Sequence, residues 1–417
     1  MSKNEQACSW AEELPALLLG ELSAERAAAV GQHLAGCPAC AAQHAAFGRV
    51  VFRLRAPQAE PPVRDLALVL ATVSLGAAFF WKAHRSAAFD LAATLPPSAI
   101  ISEPSTIASA PADRAAAVAQ ALGWLERTQE ADGHWDTARW GAQRVYSVGL
   151  TSLALLALSA DGRAATEQQR AVLARGLDWL AAQQEAHGRL GPEGSATMYN
   201  HSMATLALLE GTALETNGAH RAACRRALAF ITAAQRPSGG WGYSRGPVEN
   251  VNTSITVWQL QALLRAEALG FAEVGPQVAR GLAWLGERVS AEGRVGYRRA
   301  DDFPNGAETL TAAGALCLLR SAGGAHDPRI AKMLALVRGT AALPATPDYY
   351  RCYFVSAALA AAGGGADPAL EQMLGAVLAR QTRDGVEAGS WTPGDRWGRA
   401  GGRIYATAMA VLALQSG

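Results

Sequence analysis

The sequence predicts an all-α chain whose residues 113–417 form six helix pairs closed into a toroid. Two observations carry this. An aromatic residue near the end of an amphipathic helical segment recurs at Trp124, Trp179, Phe230 and Trp284, 51 to 55 residues apart, a period that belongs to stacked helical repeats. Between these segments lie stretches that are apolar nearly all round. Alanine and leucine are abundant and β-branched runs scarce, which favours helix throughout.

The first helices of four pairs end alike: LGWLERTQEADGHW from Leu122, LDWLAAQQEAHGRL from Leu177, LAFITAAQRPSGGW from Leu228 and LAWLGERVSAEGRV from Leu282. Glutamine follows the aromatic by five residues at Gln129, Gln184 and Gln235. Gly133, Gly188, Gly239 and Gly293 then break the helix. Second helices follow at VGLTSLALLAL, HSMATLALLEG, SITVWQLQALL and ETLTAAGALCLL. A fifth pair is predicted from Asp327-Pro328, an N-cap with proline at the first helical position, with YYRCYFVSAALAAA from Tyr349 as its second helix. A sixth runs from Asp367-Pro368 through Gln381, Gly385 and Trp391 to IYATAMAVLALQ. Apolar helices cannot face water, so the second helices form an inner ring and the amphipathic first helices an outer one. Neither end of the array carries a polar capping repeat, which favours closure.

Three segments precede the array. Residues 1–56 are mixed and helix-prone. Residues 66–81, LALVLATVSLGAAFFW, carry no charge. As a helix they reach about 24 Å, slightly short of the roughly 30 Å hydrocarbon core. Aromatics at Phe79, Phe80 and Trp81 and snorkelling by Arg64 and Lys82 extend that reach; a buried core helix is the other reading. Arginines 49, 53, 55 and 64 precede the stretch, so the positive-inside rule places the N-terminus in the cytoplasm and the array outside a single-pass inner membrane. Residues 86–112, rich in Ala, Ser and Pro, read as a linker. The net charge of +1 over 417 residues gives no reason to expect direct nucleic-acid binding. Six cysteines in a chain this long are not a disulfide framework.

Near the start stands HLAGCPAC. His33 and Cys37 are four apart and share a helix face, and Cys40 follows at the spacing that lets two thiolates grip one ion. Cys8 can supply a fourth ligand, completing a Cys3His set for structural Zn2+ with no open position for catalysis. The run from Leu17 to Cys40, LLLGELSAERAAAVGQHLAGCPAC, resembles the zinc-binding anti-sigma factor family over roughly the first fifty residues. The resemblance implies a small helical domain that binds zinc through His33, Cys37 and Cys40 and holds an extracytoplasmic-function sigma factor.

Gln-x-x-x-Gly-x-Trp at Gln129–Trp135, and again at Gln235–Trp241, resembles the QW motif of squalene and oxidosqualene cyclases, in the superfamily that includes protein prenyltransferase β-subunits. The resemblance covers residues 113–417. It implies that glutamine and tryptophan tie each outer helix to the next inner one, with Trp135, Trp241 and Trp391 as staples. The motifs of the family's chemistry are missing. No Asp-x-Asp-Asp acid is present, and the acidic doublet Asp301-Asp302 sits beside Arg298 and Arg299. Of the prenyltransferase zinc ligands, Tyr350 stands where an aspartate is expected and Tyr405 near where a histidine is, leaving Asp348 and Cys352. The Gly-Cys-Gly-Glu-Gln thioester sequence is absent.

What remains is a candidate cavity. If the inner helices run parallel, their starts meet at one mouth of the ring. These starts carry Tyr146, Tyr199, His201, Asn252 and Glu308, then Tyr350, Tyr353, Arg403 and Tyr405. Such a hollow suits an apolar, isoprenoid-like ligand; the same side chains could instead fill the axis and cap helices. The expected partners are a sigma factor inside and an apolar small molecule or envelope protein outside. A terpene cyclase with an unfamiliar acid and a scaffold toroid are the alternatives.

Overall fold

The computed structural model describes residues 17, 24–38, 40, 41, 44, 111–159, 166–214, 217–244, 250–304, 307–339, 347–363 and 367–416. The chain divides into two units, residues 1–107 and 108–417. In the first, α1 (Ala24–Gly36) buries Val30, and Cys40 is buried beside it against Leu17, Ala27, Leu34 and Cys37. The uncharged stretch 66–81 and residues 86–110 of the expected linker lie outside the described residues. Among the described residues no helix is long and apolar enough to cross a membrane.

The second unit is all helical, with no strand beyond isolated bridges among the described residues. Its outer helices are α2 (Pro111–Thr128), α4 (Glu167–Ala182), α6 (Gly218–Ala234), α8 (Gly275–Gly286), α10 (Ile330–Gly339) and α12 (Pro368–Leu378). Its inner helices are α3 (Ser147–Ser159), α5 (Thr197–Leu214), α7 (Thr253–Ala268), α9 (Ala307–Arg320), α11 (Tyr349–Ala361) and α13 (Gly398–Ser416). Outer helices bury one stripe; in α4 it is Val172, Leu173, Gly176, Leu177 and Leu180. In inner α3 every residue from Val148 to Ser159 is buried. This is the separation that the two kinds of periodicity require. Each inner helix packs on its neighbours in order, and α13 packs on α3 as well as α11, so the ring closes.

The glutamines make the outer ring continuous. Gln129 Nε2 donates to Gly133 O (2.9 Å) in its own loop and to Val172 O (2.9 Å) on the next outer helix. Gln184 does the same to Gly188 and Ala223, and Gln235 to Gly239 and Gln277. Gln381 closes the circle, donating to Gly389 O (2.9 Å) and to Ala117 O on α2 (2.7 Å). Arg175, Arg226 and Arg280 donate to the amide oxygens of Gln129, Gln184 and Gln235. The glutamine therefore joins outer helix to outer helix, not outer to inner as the resemblance implied. In the fourth pair Val289 replaces it. There Arg329 and Lys332 reach back to Gly286 O (3.0 Å) and Ala291 O (2.8 Å) instead.

The tryptophans hold each outer helix to its own inner partner. Trp135, Trp241 and Trp391 Nε1 donate to Leu125, Ile231 and Val377 carbonyls. Their backbone N–H groups donate to Thr151, Thr256 and Thr407 hydroxyls on the inner helices. The loop glycine must pass under the next outer helix. A Cβ on Gly133 (φ 102°) would lie 2.2 Å from Arg175 O, and one on Gly188 2.2 Å from Arg226 O. In the sixth pair that glycine is Gly389, 2.5 Å from Gln120 O by the same construction, rather than the expected Gly385, which has open space. The fifth outer helix begins at Ile330, not Pro328; Asp327 accepts instead from Arg329 N (2.9 Å).

Gln381 is buried and its amide is the hinge of closure. Gln381→Leu breaks the bridge to Ala117 O and leaves the buried Gly389 carbonyl without this donor, and is expected to cost about 1–3 kcal/mol, read as a lower urea midpoint. Wild-type stability in this variant would remove the closure role.

Candidate functional site

The head presents three donors. His33 lies in the last turn of α1, and the chain leaves the helix at Cys37. The ligand atoms of His33, Cys37 and Cys40 all lie within 4.8 Å of one another. Zn–S of about 2.3 Å and Zn–N of about 2.0 Å put tetrahedral ligands roughly 3.3–3.8 Å apart. The three donors are thus positioned to hold a metal ion after a small inward shift, and their chemistry suits zinc. Cys8, the expected fourth ligand, lies outside the described residues.

The toroid has a cavity of about 90 Å3 near the starts of four inner helices. Tyr146, Tyr199, Tyr350 and Tyr405 line it, with Trp397 and Asn200; Met203, Met409, Leu150, Leu153 and the backbone at Gly149, Ala400 and Gly401 complete the wall. The first four were expected from sequence. Trp397 was not, because it precedes Gly402 (φ 59°), where the helical path of α13 breaks. That break is held by the first pair: Arg403 N donates to Trp140 O (2.9 Å) and Gln143 N to Ala400 O (3.0 Å). This long-range clamp helps place the 397–401 turn beside the cavity.

The other expected residues stand elsewhere. His201 is fully buried; it accepts from Leu190 N (3.0 Å) and lies 3.0 Å from Ala227 O through its second nitrogen. It takes the place that Thr151, Thr256, Thr311 and Thr407 hold in the first, third, fourth and sixth pairs. Burial lowers its pKa to about 4, so it is a neutral strut and not a base facing the cavity. Asn252 caps α7, accepting from Ile255 N. Glu308 is exposed. Tyr353 stacks on Trp258 and donates to Gln261 Oε1 (3.1 Å), filling the axis. Arg403 donates to Ser390 Oγ (2.9 Å) and pairs with Glu387 (2.7 Å). Cys352 is buried and its thiol is pushed up to about 12 by desolvation. Asp301 and Asp302 pair with Arg299 and Arg298.

Comparison with known proteins agrees with both resemblances. Residues 8–41 match a zinc-finger family, and residues 98–213 match the squalene-hopene cyclase C-terminal domain. The chain joins a zinc-finger head to a cyclase-like toroid. Drimenyl diphosphate synthase from Streptomyces showdoensis is 29% identical over 197 residues, 46% of this chain and 34% of that one. The chain therefore spans about a third of the length of that curated relative. Type II terpene cyclase MstE from Scytonema superposes with a TM-score of 0.53 at 15% identity, over 73% of this chain and 98% of its own. Cellobiose 2-epimerase from Spirochaeta thermophila DSM 6192 superposes with 0.57 at 12%, over 73% and 95%. A terpene cyclase and a sugar epimerase share this fold, so the likeness speaks for architecture alone.

In the cyclase-like toroid no carboxylate lines the cavity among the described residues. The nearest in bonding is Asp395, which sequence reasoning missed. It accepts from Tyr349 N (3.0 Å), Trp397 N (3.1 Å) and Tyr405 OH (3.0 Å). Burial, and then the neighbouring Asp348 carboxylate, raise its pKa to about 6. Asp348 itself pairs with Arg396 at 3.6 Å. Tyr405 stands between Asp395 and the cavity, and burial with the Asp395 charge makes its hydroxyl a much weaker acid than free tyrosine. Protonating an alkene needs a strong acid, and this relay ends in a weak one.

Two outcomes follow. Asp395 is an acid whose folded pKa lies above the unfolded value near 3.8, so stability falls as pH rises from about 4 to about 6. Asp395→Asn, neutral at every pH, is expected to lose this dependence, read as a flatter melting temperature than wild type's between pH 4 and pH 7. At the head, Cys37→Ser or Cys40→Ser should abolish bound zinc, measured by elemental analysis of purified protein, and leave the toroid's melting transition unchanged.

Proposed function

We propose that this protein is an anti-sigma-type regulator whose cyclase-like toroid is its ligand-responsive part. The head binds structural zinc and holds an extracytoplasmic-function sigma factor. The stretch 66–81 tethers it to the inner membrane, with the head in the cytoplasm and the toroid outside. The observation that carries this reading is the convergence of His33, Cys37 and Cys40, in a chain whose toroid presents an apolar cavity with no acid in its wall among the described residues. The ligand is a small apolar group; an envelope protein is the other outer partner that fits an outward-facing ring.

The cavity's size argues for a regulator over a cyclase. Sites that enclose a whole drug-sized ligand run to roughly 300–1,000 Å3. Trp258, Tyr350, Tyr353 and Phe354 pack together inside the ring, with Trp258 Nε1 donating to Tyr350 OH (2.8 Å). Those rings occupy space that a polycyclising chain would need.

Tagged full-length protein is expected to retain one sigma factor from the cell's set, with Cys40→Ser losing it and Asp395→Asn keeping it. Recovery of no sigma factor across the full set would sink the regulator reading. Fractionation should place the chain in the membrane, with the toroid open to protease added to spheroplasts.

A further inference from the structure

The walls of the toroid cavity are unusual in what they withhold. Tyr199 OH is engaged with Ser254 Oγ (2.7 Å), Tyr350 OH accepts from Trp258, and Tyr405 OH donates to Asp395. None of those three partners lines the cavity. Asn200 is spent as well: its Oδ1 accepts from Gly149 N (2.7 Å), and its Nδ2 donates to Val145 O and Ala196 O. The guest therefore meets aromatic rings and the methionine side chains of Met203 and Met409, and almost no hydrogen-bonding group. Among the described residues no charged side chain lines the wall.

Size narrows the guest further. A cavity of roughly 150 Å3 accepts benzene. One of about 90 Å3 takes a group of roughly four heavy atoms by the same measure. Charge narrows it again. Aromatic faces are negative and attract cations, and the Asp395 carboxylate lies directly behind the Tyr405 hydroxyl. Arg396 lies over the Trp397 ring at 4.6 Å, and its charge is paired with Asp348. Arg144 and Arg399 flank the rim but are exposed, where salt screens them within about 8 Å.

Resting on the reading of the toroid as the ligand-responsive part, we propose that the cavity between Tyr146, Tyr199, Tyr350, Trp397 and Tyr405 recognises a quaternary ammonium group, the trimethylammonium end of a choline-type molecule. It is the one common cation that asks for no hydrogen bond, and its nitrogen and three methyls make about four heavy atoms, the size the cavity holds. A primary or secondary ammonium would bury donors that nothing in the wall accepts. An anion would meet ring faces and a carboxylate.

Calorimetry on the full-length protein at pH 7.5 tests this with choline and with its neutral isostere 3,3-dimethylbutan-1-ol, which differs in charge and hardly in shape. Choline is expected to bind at least tenfold tighter. Trp397→Leu and the half-buried Tyr146→Leu should each weaken choline tenfold or more, and the second guards against loss of fold in the first. Equal binding of the isostere overturns the proposal while leaving the toroid a binder of small apolar groups. Binding of neither, with phosphatidylcholine vesicles captured no better than phosphatidylglycerol vesicles, overturns it together with the ligand-responsive role. The sigma-factor retention assay is independent of both. Capture of phosphatidylcholine vesicles without binding of soluble choline supports the site and assigns a lipid headgroup as its source; binding of soluble choline assigns a free solute.

Discussion

A primary amide can donate two hydrogen bonds in different directions, and the toroid depends on that property at Gln129, Gln184, Gln235 and Gln381. Each amide bridges a carbonyl of its own loop and a carbonyl of the next outer helix. Carbonyls inside a helix are already paired with their N–H groups, so the amide uses a second lone pair, and nothing in the helix is disrupted. The glycine four or eight residues on gives the loop room to reach that helix, since a side chain there would strike its backbone. Tryptophan then fixes the same loop inward. The arrangement is an annulus of outer helices, each tied to its neighbour by a side chain and to its inner partner by an indole.

Closure is what gives the site its parts. The cavity takes its wall from the first, second, fifth and sixth inner helices. These include the two ends of the array, brought together by Gln381 on Ala117, by the Arg114–Glu371 pair (2.7 Å) and by Gln143 on Ala400. An open solenoid of the same repeats would have Tyr146 and Tyr405 at opposite ends. The 397–401 turn that lines the cavity depends on Gly402, which takes a positive φ against Trp140 O, where a Cβ would lie 2.3 Å away.

The ring itself stands without any group of cyclase chemistry. Its stability rests on amides, indoles and apolar inner helices, none of which requires an acid at the mouth. Asp395, bonded to the cavity residues Tyr405 and Trp397, serves as acceptor for two backbone N–H groups and a phenol. It holds the turn, and its raised pKa follows from burial and from Asp348.

The helical class, the pairing of outer with inner helices and the three described zinc donors were legible in the residues themselves. Periodicity and the spacing of Gln, Gly and Trp are local properties, and His33, Cys37 and Cys40 are close along the chain. The tyrosines at Tyr146, Tyr199, Tyr350 and Tyr405 were also legible, since helix starts can be read locally. Which helix each glutamine reaches was not, nor that Gly389 rather than Gly385 makes the crossing, because both depend on a neighbour some forty residues away or, for the last pair, some 260 residues back in the chain. His201 was expected at the mouth of the ring and serves instead as a threonine substitute for the same reason: its two partners come from a loop and from a different helix. Trp397 and Asp395 could be placed only by tertiary structure, since their positions follow from a clamp between the first and last pairs of the ring.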